Sequence, residues 1–369
     1  MTNITKDAIY DAVAPDDFEA MLALDRYNGR STAFDRIISA THDHFWDPLD
    51  AKYIDYAEPF DMENTPLVPE WMIASLSTDY VSGHLQDPKK RTAFINEAVH
   101  YGMSSILHGE QGALNLSASL CHVLRDQGAQ EYAANQTREE ARHVTAFARY
   151  IRARWGEPTP CGPVLQKLLS DIIAAPEVYK KIIGMQMLVE GLAMGAFATY
   201  YQNLADPLGR KLMQLVMTDE AFHHKFGKIW ADKTIPKLTP EEHAVVEDWA
   251  AECFQHLLFN LVAPDQMAPL YRKFGMDPAE VMAAFRAVMT DEKRRETLTK
   301  ASNIFRVLIK TLLNAGIITD RTRAFYAVYV DMDELKGEGD RMIGDDIAEE
   351  GIEYLKAINF KDRHPMAAE

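Results

Sequence analysis

The chain has 369 residues, 47% of them hydrophobic and 10% aromatic, enough for one large core or two domains. Its formal net charge is −16 and it has no basic stripe, which excludes a nucleic-acid binder. Cys121, Cys161 and Cys253 lie far apart with no Cys-x-x-Cys, so neither a zinc pattern nor a disulfide framework is expected, and a reducing cytoplasm fits.

The start, MTNITKDAIYDAV, has no basic region followed by an apolar run, so no signal peptide is expected. Residues 1–87 read as an N-terminal arm with short helices, because Pro48, Pro59, Pro66 and Pro69 break the region into pieces. His42-x-His44 in this arm could be a ligand pair, but reads more readily as solvent-facing or hydrogen-bonded. From Asp87-Pro88 the apolar residues recur with helical period. The spacing predicts a first long helix over 88–126, a second over 129–154 ending at Gly156-Glu157-Pro158, and a short one over 163–174. A third long helix follows Pro176 and runs to 204. Ala205-Asp206-Pro207 is a turn with Pro at a first helical position, and a fourth helix runs to 233. Thr239-Pro240 opens another helix, with Thr239 as N-cap. Further helices fill 264–330, and 336–346 reads as loop. No stretch suggests a sheet, so the class is all-α. The expected divisions are an arm (1–87), a four-helix bundle (88–233), additional helices packed on it (234–335) and an acidic tail with a short helix (336–369).

One stretch imitates a membrane span. IIGMQMLVEGLAMGAFATYY, residues 182–201, carries a single charge, Glu190. A lone central Glu is costly in lipid and no other segment matches it, so a helix buried all round inside a bundle is the better reading, with no membrane span.

The chemistry lies in a repeat. Glu140-x-x-His143 recurs as Glu220-x-x-His223, an offset of 80 (220 − 140). The lone glutamates Glu110 and Glu190, on the first and third helices, share that offset, as do Glu139 and Asp219 just before each motif. The midpoint of each Glu and its motif falls at a predicted turn, so two helical hairpins would bring each glutamate level with its motif. Positions i and i+3 share a helix face, so each Glu and His can address one ion. A surface pair is the bland alternative for either motif. It fails on context, since Leu107, Ala113 and Leu114 flank Glu110, and Met187, Ala193 and Met194 flank Glu190. Four carboxylates buried together would repel, and divalent cations would offset that charge. Glu110, Glu140, His143, Glu190, Glu220 and His223 are therefore the expected metal ligands. Carboxylates and imidazoles without thiolate suit iron or manganese, and a structural zinc site is usually closed by four Cys- and His-rich ligands. Gln136 and Gln186, one turn before Glu140 and Glu190, face the same site. His108, His122 and His224 are read as structural, His224 facing a neighbouring helix or solvent.

A Glu from each of two helices and a Glu-x-x-His from each of two others is the ligand pattern of ferritin-like di-iron carboxylate proteins. The chain resembles that superfamily over residues 88–233. Its EEARH and DEAFH resemble the O₂-activating branch: multicomponent monooxygenase hydroxylases, ribonucleotide reductase small subunits and acyl-carrier-protein desaturases. The resemblance implies a ferritin-like bundle, two Fe ions (or a Mn/Fe pair), and Glu139 and Asp219 as hydrogen-bond partners of His223 and His143. It also has departures. Phe147 stands where ribonucleotide reductases carry a radical Tyr. Met194, after Ala193, stands where multicomponent hydroxylases carry a Thr. Val216 stands where N-oxygenases often carry a third His.

The leading expectation is an enzyme, a di-iron oxygenase or oxidase: a monooxygenase or oxidase of a small or medium, apolar organic substrate, working by hydroxylation, desaturation or N-oxygenation. Gly112, Ala113, Phe147, Ala193, Met194 and Phe197 are candidate substrate-pocket residues. The small residues among them, with Gly109, Gly191 and Gly195, serve equally well for close helix packing. No flavin fingerprint or iron–sulfur cysteine set is present, so an external electron donor, a ferredoxin or reductase, is expected, and a homodimer is compatible. The alternatives are a radical-generating or ligand-binding Mn/Fe oxidase and an iron-storage or peroxide-scavenging protein. Storage ferritins are about half this length, and rubrerythrins carry Cys-rich sites that this chain lacks.

Overall fold

The computed structural model describes residues 9–256, 264–288, 302–337 and 344–360. Among them there is no β-strand; one isolated antiparallel bridge, Ala12 with Leu124, ties the N-terminal arm to the first interhelical turn. The principal helices are α1 (Asp35–Thr41), α2 (Pro88–Val123), α3 (Gln127–Trp155), α4 (Pro163–Ala174), α5 (Val178–Asn203), α6 (Pro207–Thr234), α7 (Pro240–His256), α8 (Ser302–Asn314) and α9 (Asp345–Asn359).

Local chemistry sets the helix starts. Asp87 caps α2 by accepting from Lys90 N at 2.8 Å, with Pro88 at the first position, where its missing N–H leaves no bond unmade. Asp126 caps α3 through Gly128 N and Ala129 N at 2.8 and 3.0 Å. Asp206 caps α6 through Leu208 N at 3.1 Å, again before a Pro. Asp126 and Asp206 are themselves 80 apart (206 − 126), so the internal repeat extends to the caps that start its two motif helices. The Asp206 carboxylate also receives the Arg154 guanidinium at 2.7 and 3.0 Å and the Tyr150 hydroxyl at 3.0 Å, which pins the start of α6 to the end of α3. At α7, Thr239 and Glu242 cap each other's backbone N–H.

Helices α2 and α3 pair as one hairpin and α5 and α6 as the other, with α8 on α5 and α9 along α6. Helix α5 is not α-helical throughout. Residues Ile182–Val189 form a π-helical stretch, and the Glu190 N–H bonds back to Met185 O. The extra residue per turn rotates the face that follows, and such stretches gather at functional sites. Sequence periodicity did not reveal it, because a segment apolar all round has no phase to break. Helix α5 is long and apolar enough to cross a membrane, yet 72% of its most apolar window is buried inside the fold, as in a core helix.

The core falls into two apolar blocks with a polar layer between. Helix α2 contributes Leu107 to one block and Ala113 to the other; α3 contributes Ala133 and Ala146; α5 contributes Leu188 and Met194; α6 contributes Ala221 and Phe226. Each of these pairs brackets at least one of the repeat's Glu and His residues.

The C-terminal region is more helical than the sequence implied. Residues 336–346 read as loop, but Lys336 and Gly337 close the helix Met332–Gly337, and Asp345 and Asp346 open the 15-residue α9. The residues between lie outside those described.

Candidate metal centre

The repeat's acids and histidines meet in that polar layer. Glu110 and Glu190 are 5% and 3% exposed, and Glu140, His143, Glu220 and His223 are fully buried, so none lies on a solvated face. They form two overlapping sets whose donor atoms all lie within 4.8 Å of one another: Glu110, Glu140, His143 and Glu220, and Glu140, Glu190, Glu220 and His223. The motif glutamates Glu140 and Glu220 belong to both sets; Glu110 and Glu190 each belong to one.

Both histidines use their rings the same way. His143 Nε2 donates to Asp219 Oδ2 at 2.8 Å, and its Nδ1 lies 3.2, 3.4 and 3.1 Å from Glu110, Glu140 and Glu220 oxygens. His223 Nε2 donates to Glu139 Oε2 at 2.9 Å, and its Nδ1 lies 3.1 Å from both Glu140 and Glu220 oxygens. A carboxylate on Nε2 fixes the ring and leaves the Nδ1 lone pair for a metal. Gln136 Nε2 donates to Glu140 Oε1 at 3.0 Å and to Glu190 Oε1 at 3.1 Å, joining the two hairpins. Gln186, on the π-helical stretch, is fully buried with both amide atoms lacking a partner.

Three residues that sequence reasoning left out complete the surroundings. Arg142 grips Asp219 with its guanidinium, Nε to Oδ2 at 3.0 Å and Nη2 to Oδ1, and lies 3.7 Å from Glu139. Trp46 Nε1 donates to Asp219 Oδ2 at 3.0 Å, and its ring stacks beside His143 and under Arg142. His42 is exposed, but His44 corrects the reading of the arm's histidines as solvent-facing or hydrogen-bonded. It is fully buried, stacks on Phe222 with ring centroids 5.2 Å apart, stands 3.4 Å from Asp219 Oδ1, and neither ring nitrogen makes a hydrogen bond. Arg142 sits beside His143 in the motif and carried a local signal. Trp46 and His44 come from the irregular arm, so no spacing connects them to Asp219. His44, Glu139 and Asp219 also cluster, but Asp219 is already engaged by Arg142, Trp46 and His143, which leaves little of it for an ion.

The electrostatics fit a cation site. Burial foremost, then repulsion from Glu220 and Glu140, raises Glu190 well above the usual carboxylate range. Burial likewise raises Glu110, against the pull of His143. Burial also opposes ionisation of Glu140 and Glu220, but the histidines, His223 foremost, hold both below the usual range. Burial works against protonation of the two imidazoles, yet the surrounding carboxylates raise both pKa values. Asp219 is held low against burial, chiefly by Arg142. Without metal, the layer balances its charge by keeping protons on its outer acids and its histidines. Glu140 Oε2 and Glu220 Oε1, one atom of each shared glutamate, are buried without a hydrogen-bond partner, which is the opening a metal would fill. An oxygen-rich, thiolate-free donor set suits two iron or manganese ions.

The candidate pocket residues divide across the layer. Ala113 belongs to the block near the α2–α3 turn, and the space a Gly112 side chain would take is filled by Leu169 of α4. Phe147, Met194 and Phe197 belong to the opposite block, with Ala193 packed against it, and the Phe147 and Phe197 rings stack 5.9 Å apart. Gly191 lets Leu308 of α8 approach, a packing role. His108 donates to Thr159 O at 2.9 Å, His122 is exposed, and His224 faces Thr311 of α8 at 3.3 Å, with burial lowering its pKa to about 4. Cys121, Cys161 and Cys253 are all free thiols.

The bundle brings together a Glu from each of two helices and a Glu-x-x-His from each of two others, a donor pattern like that of ferritin-like di-iron carboxylate proteins. No family model matches the chain, and no curated protein matches it significantly. Among solved structures it is similar to Protein 19 with aldehyde deformylating oxidase activity from Synechococcus, at 22% identity and a TM-score of 0.36, over 58% of this chain and 95% of that one. At that distance the likeness carries no argument about this chain's chemistry.

Proposed function

We propose that this chain is a di-iron, O₂-dependent oxidoreductase, a monooxygenase or oxidase acting on a small or medium, largely apolar organic molecule. The observation that carries the reading is the pair of overlapping donor sets sharing Glu140 and Glu220. Glu110 and His143 would complete one ion's protein ligands, Glu190 and His223 the other's. A bound pair of ferrous ions supplies electrons to O₂ and the oxidising power for the substrate. The chain's own residues do the rest. Gln136 fixes Glu140 against Glu190, and Asp219 and Glu139 hold the histidine rings with Nδ1 inward. Arg142 and Trp46 keep Asp219 ionised and in place. The apolar blocks above and below exclude water, which strengthens every electrostatic contact in the layer. Three separate free cysteines provide no iron–sulfur cluster, so reducing equivalents come from an external ferredoxin or reductase, and a cytoplasmic setting suits the thiols.

The test is O₂ uptake by iron-loaded, pre-reduced protein supplied with a ferredoxin–reductase pair and a panel of apolar amines, alkanes and alcohols, with products read by mass spectrometry. Uptake should require iron, rise with the right substrate class and vanish in Glu220→Ala. Iron-loaded wild type that consumes O₂ no faster than the Glu220→Ala variant overturns the reading.

A further inference from the structure

A second feature lies away from the metal layer. A cavity of about 500 Å³ opens where the end of α2, the end of α4, the start of α5 and the N-terminal arm meet. Its walls are mostly apolar, including Ala12, Val123, Ile173 and Val178, and its polar groups are Ser119, His122 and Lys181. Ser119 stands nine residues beyond Glu110 (119 − 110), and Lys181 nine before Glu190 (190 − 181). The cavity therefore sits roughly 13 Å along the bundle from the ligand layer.

Lys181 makes this more than a surface dent. It is 6% exposed, yet no carboxylate among the described residues lies within ion-pair distance of it. Its ammonium donates to Ile173 O, in the last turn of α4, and to Ser119 Oγ at 3.3 Å. Those are two neutral acceptors for three N–H donors. A buried ammonium normally has an anionic partner, and burying one without it is costly. The cost is reduced by the C-terminal end of α4 but not removed. Cavities of this size with apolar walls and a few converging polar groups are the usual form of small-molecule sites.

We propose that this cavity is a binding site, separate from the metal layer, for a small organic anion with an apolar body and a single carboxylate, the carboxylate pairing with Lys181. Burial lowers the Lys181 pKa, the direction an ammonium without a counter-charge shows, and a bound carboxylate would reverse it. The exposed His122 stands at the cavity wall, so a carboxylate placed there would face a bound anion. The proposal does not depend on the metal reading.

The test uses octanoate, octanol and octylammonium as probes in calorimetric titrations of the full-length, metal-loaded protein. Octanoate should bind saturably, with octanol and octylammonium at least about tenfold weaker, the difference one charge-assisted hydrogen bond makes. Lys181→Met should weaken octanoate by a similar factor. His122→Glu, at an exposed position that leaves the fold intact, should weaken it too. Octanoate held by the metals instead would perturb the iron absorption and survive both substitutions, and that outcome overturns the proposal. So does the absence of saturable binding, or equal binding of the three probes.

Discussion

Asp219 Oδ2 accepts from His143 Nε2 at 2.8 Å while the same carboxylate is gripped by Arg142, and this one relationship orients an imidazole and fixes its charge environment together. Asp219→Asn keeps the shape and removes the charge, leaving Arg142 buried with only Glu139 near it. Removing one partner of a buried pair should destabilise by about 3 kcal/mol. Loss of the His143 orienter should weaken iron affinity roughly 10- to 100-fold. Trp46→Phe removes one donor to Asp219 and should cost only about 1 kcal/mol. Thermal melts and iron titrations of both variants check this. Equal effects in the two would mean that Asp219 acts through packing alone.

Metal-free protein should show a particular pH dependence. In the folded protein the pKa values of Glu110 and Glu190 are raised above the ordinary carboxylate value of 4.5, and those of His143 and His223 above the ordinary 6.5. Folded protein therefore binds more protons than unfolded protein as pH rises from 4.5, and stability falls through that range and again past 6.5. Glu140 and Glu220 are lowered, so their contribution is lost as pH falls below 4.5. The melting temperature of metal-free protein should peak near pH 4.5–5 and decline towards pH 8. Metal binds the folded state, adding about 3–4 kcal/mol when free metal exceeds its Kd several hundred-fold, and that gain should grow with pH over the same window as protons cease to compete. A metal-free melting temperature that rises from pH 5 to 8 contradicts the assigned shifts.

The double substitution Glu110→Gln with Glu190→Gln mimics the two protonated acids. In metal-free form the variant should melt at or above wild type at pH 7–8, and the difference should shrink towards pH 4.5 and vanish below it, where wild type carries those protons in both states. Iron binding should be poor at every pH. A variant that melts well below wild type at pH 8 shows that the carboxylates are not crowded.

Gly344 has φ +93°, and a Cβ there would collide with the Met217 side chain and press on Met194 Cε at 3.1 Å. Gly344→Ala should cost about 1–3 kcal/mol through backbone strain and overlap. Because Gly344 is the N-cap of α9, the strain should also loosen that helix, read as faster hydrogen exchange over 345–359 with the core of α3 unchanged. A stable variant with unchanged exchange would mean that α9 docks without that contact.

The bundle was legible because its evidence is periodic and local. Helical spacing marked the long helices, Asp-Pro and Gly-Glu-Pro marked ends, and the 80-residue offset tied Glu110, Glu140, Glu190 and Glu220 into one layer. The partners of that layer were legible in proportion to their distance along the chain. Gln136 and Arg142 sit on the motif helix itself. Trp46 and His44 reach Asp219 from an arm with no period to read, across 173 positions in the case of Trp46. The π-helical stretch of α5 was hidden by its uniform apolarity; a short helix was expected in the tail, but its start at Asp345 was obscured by the charged, glycine-containing run before it, whose composition resembles loop.

Whether this layer holds two irons is settled by a crystal structure of iron-loaded protein with anomalous diffraction recorded on both sides of the iron absorption edge. Two iron peaks are expected, one within ligand distance of Glu110, Glu140, His143 Nδ1 and Glu220, the other within ligand distance of Glu140, Glu190, Glu220 and His223 Nδ1. Iron-loaded crystals with no peak in this layer, and these six side chains bonded only to one another, would contradict that expectation.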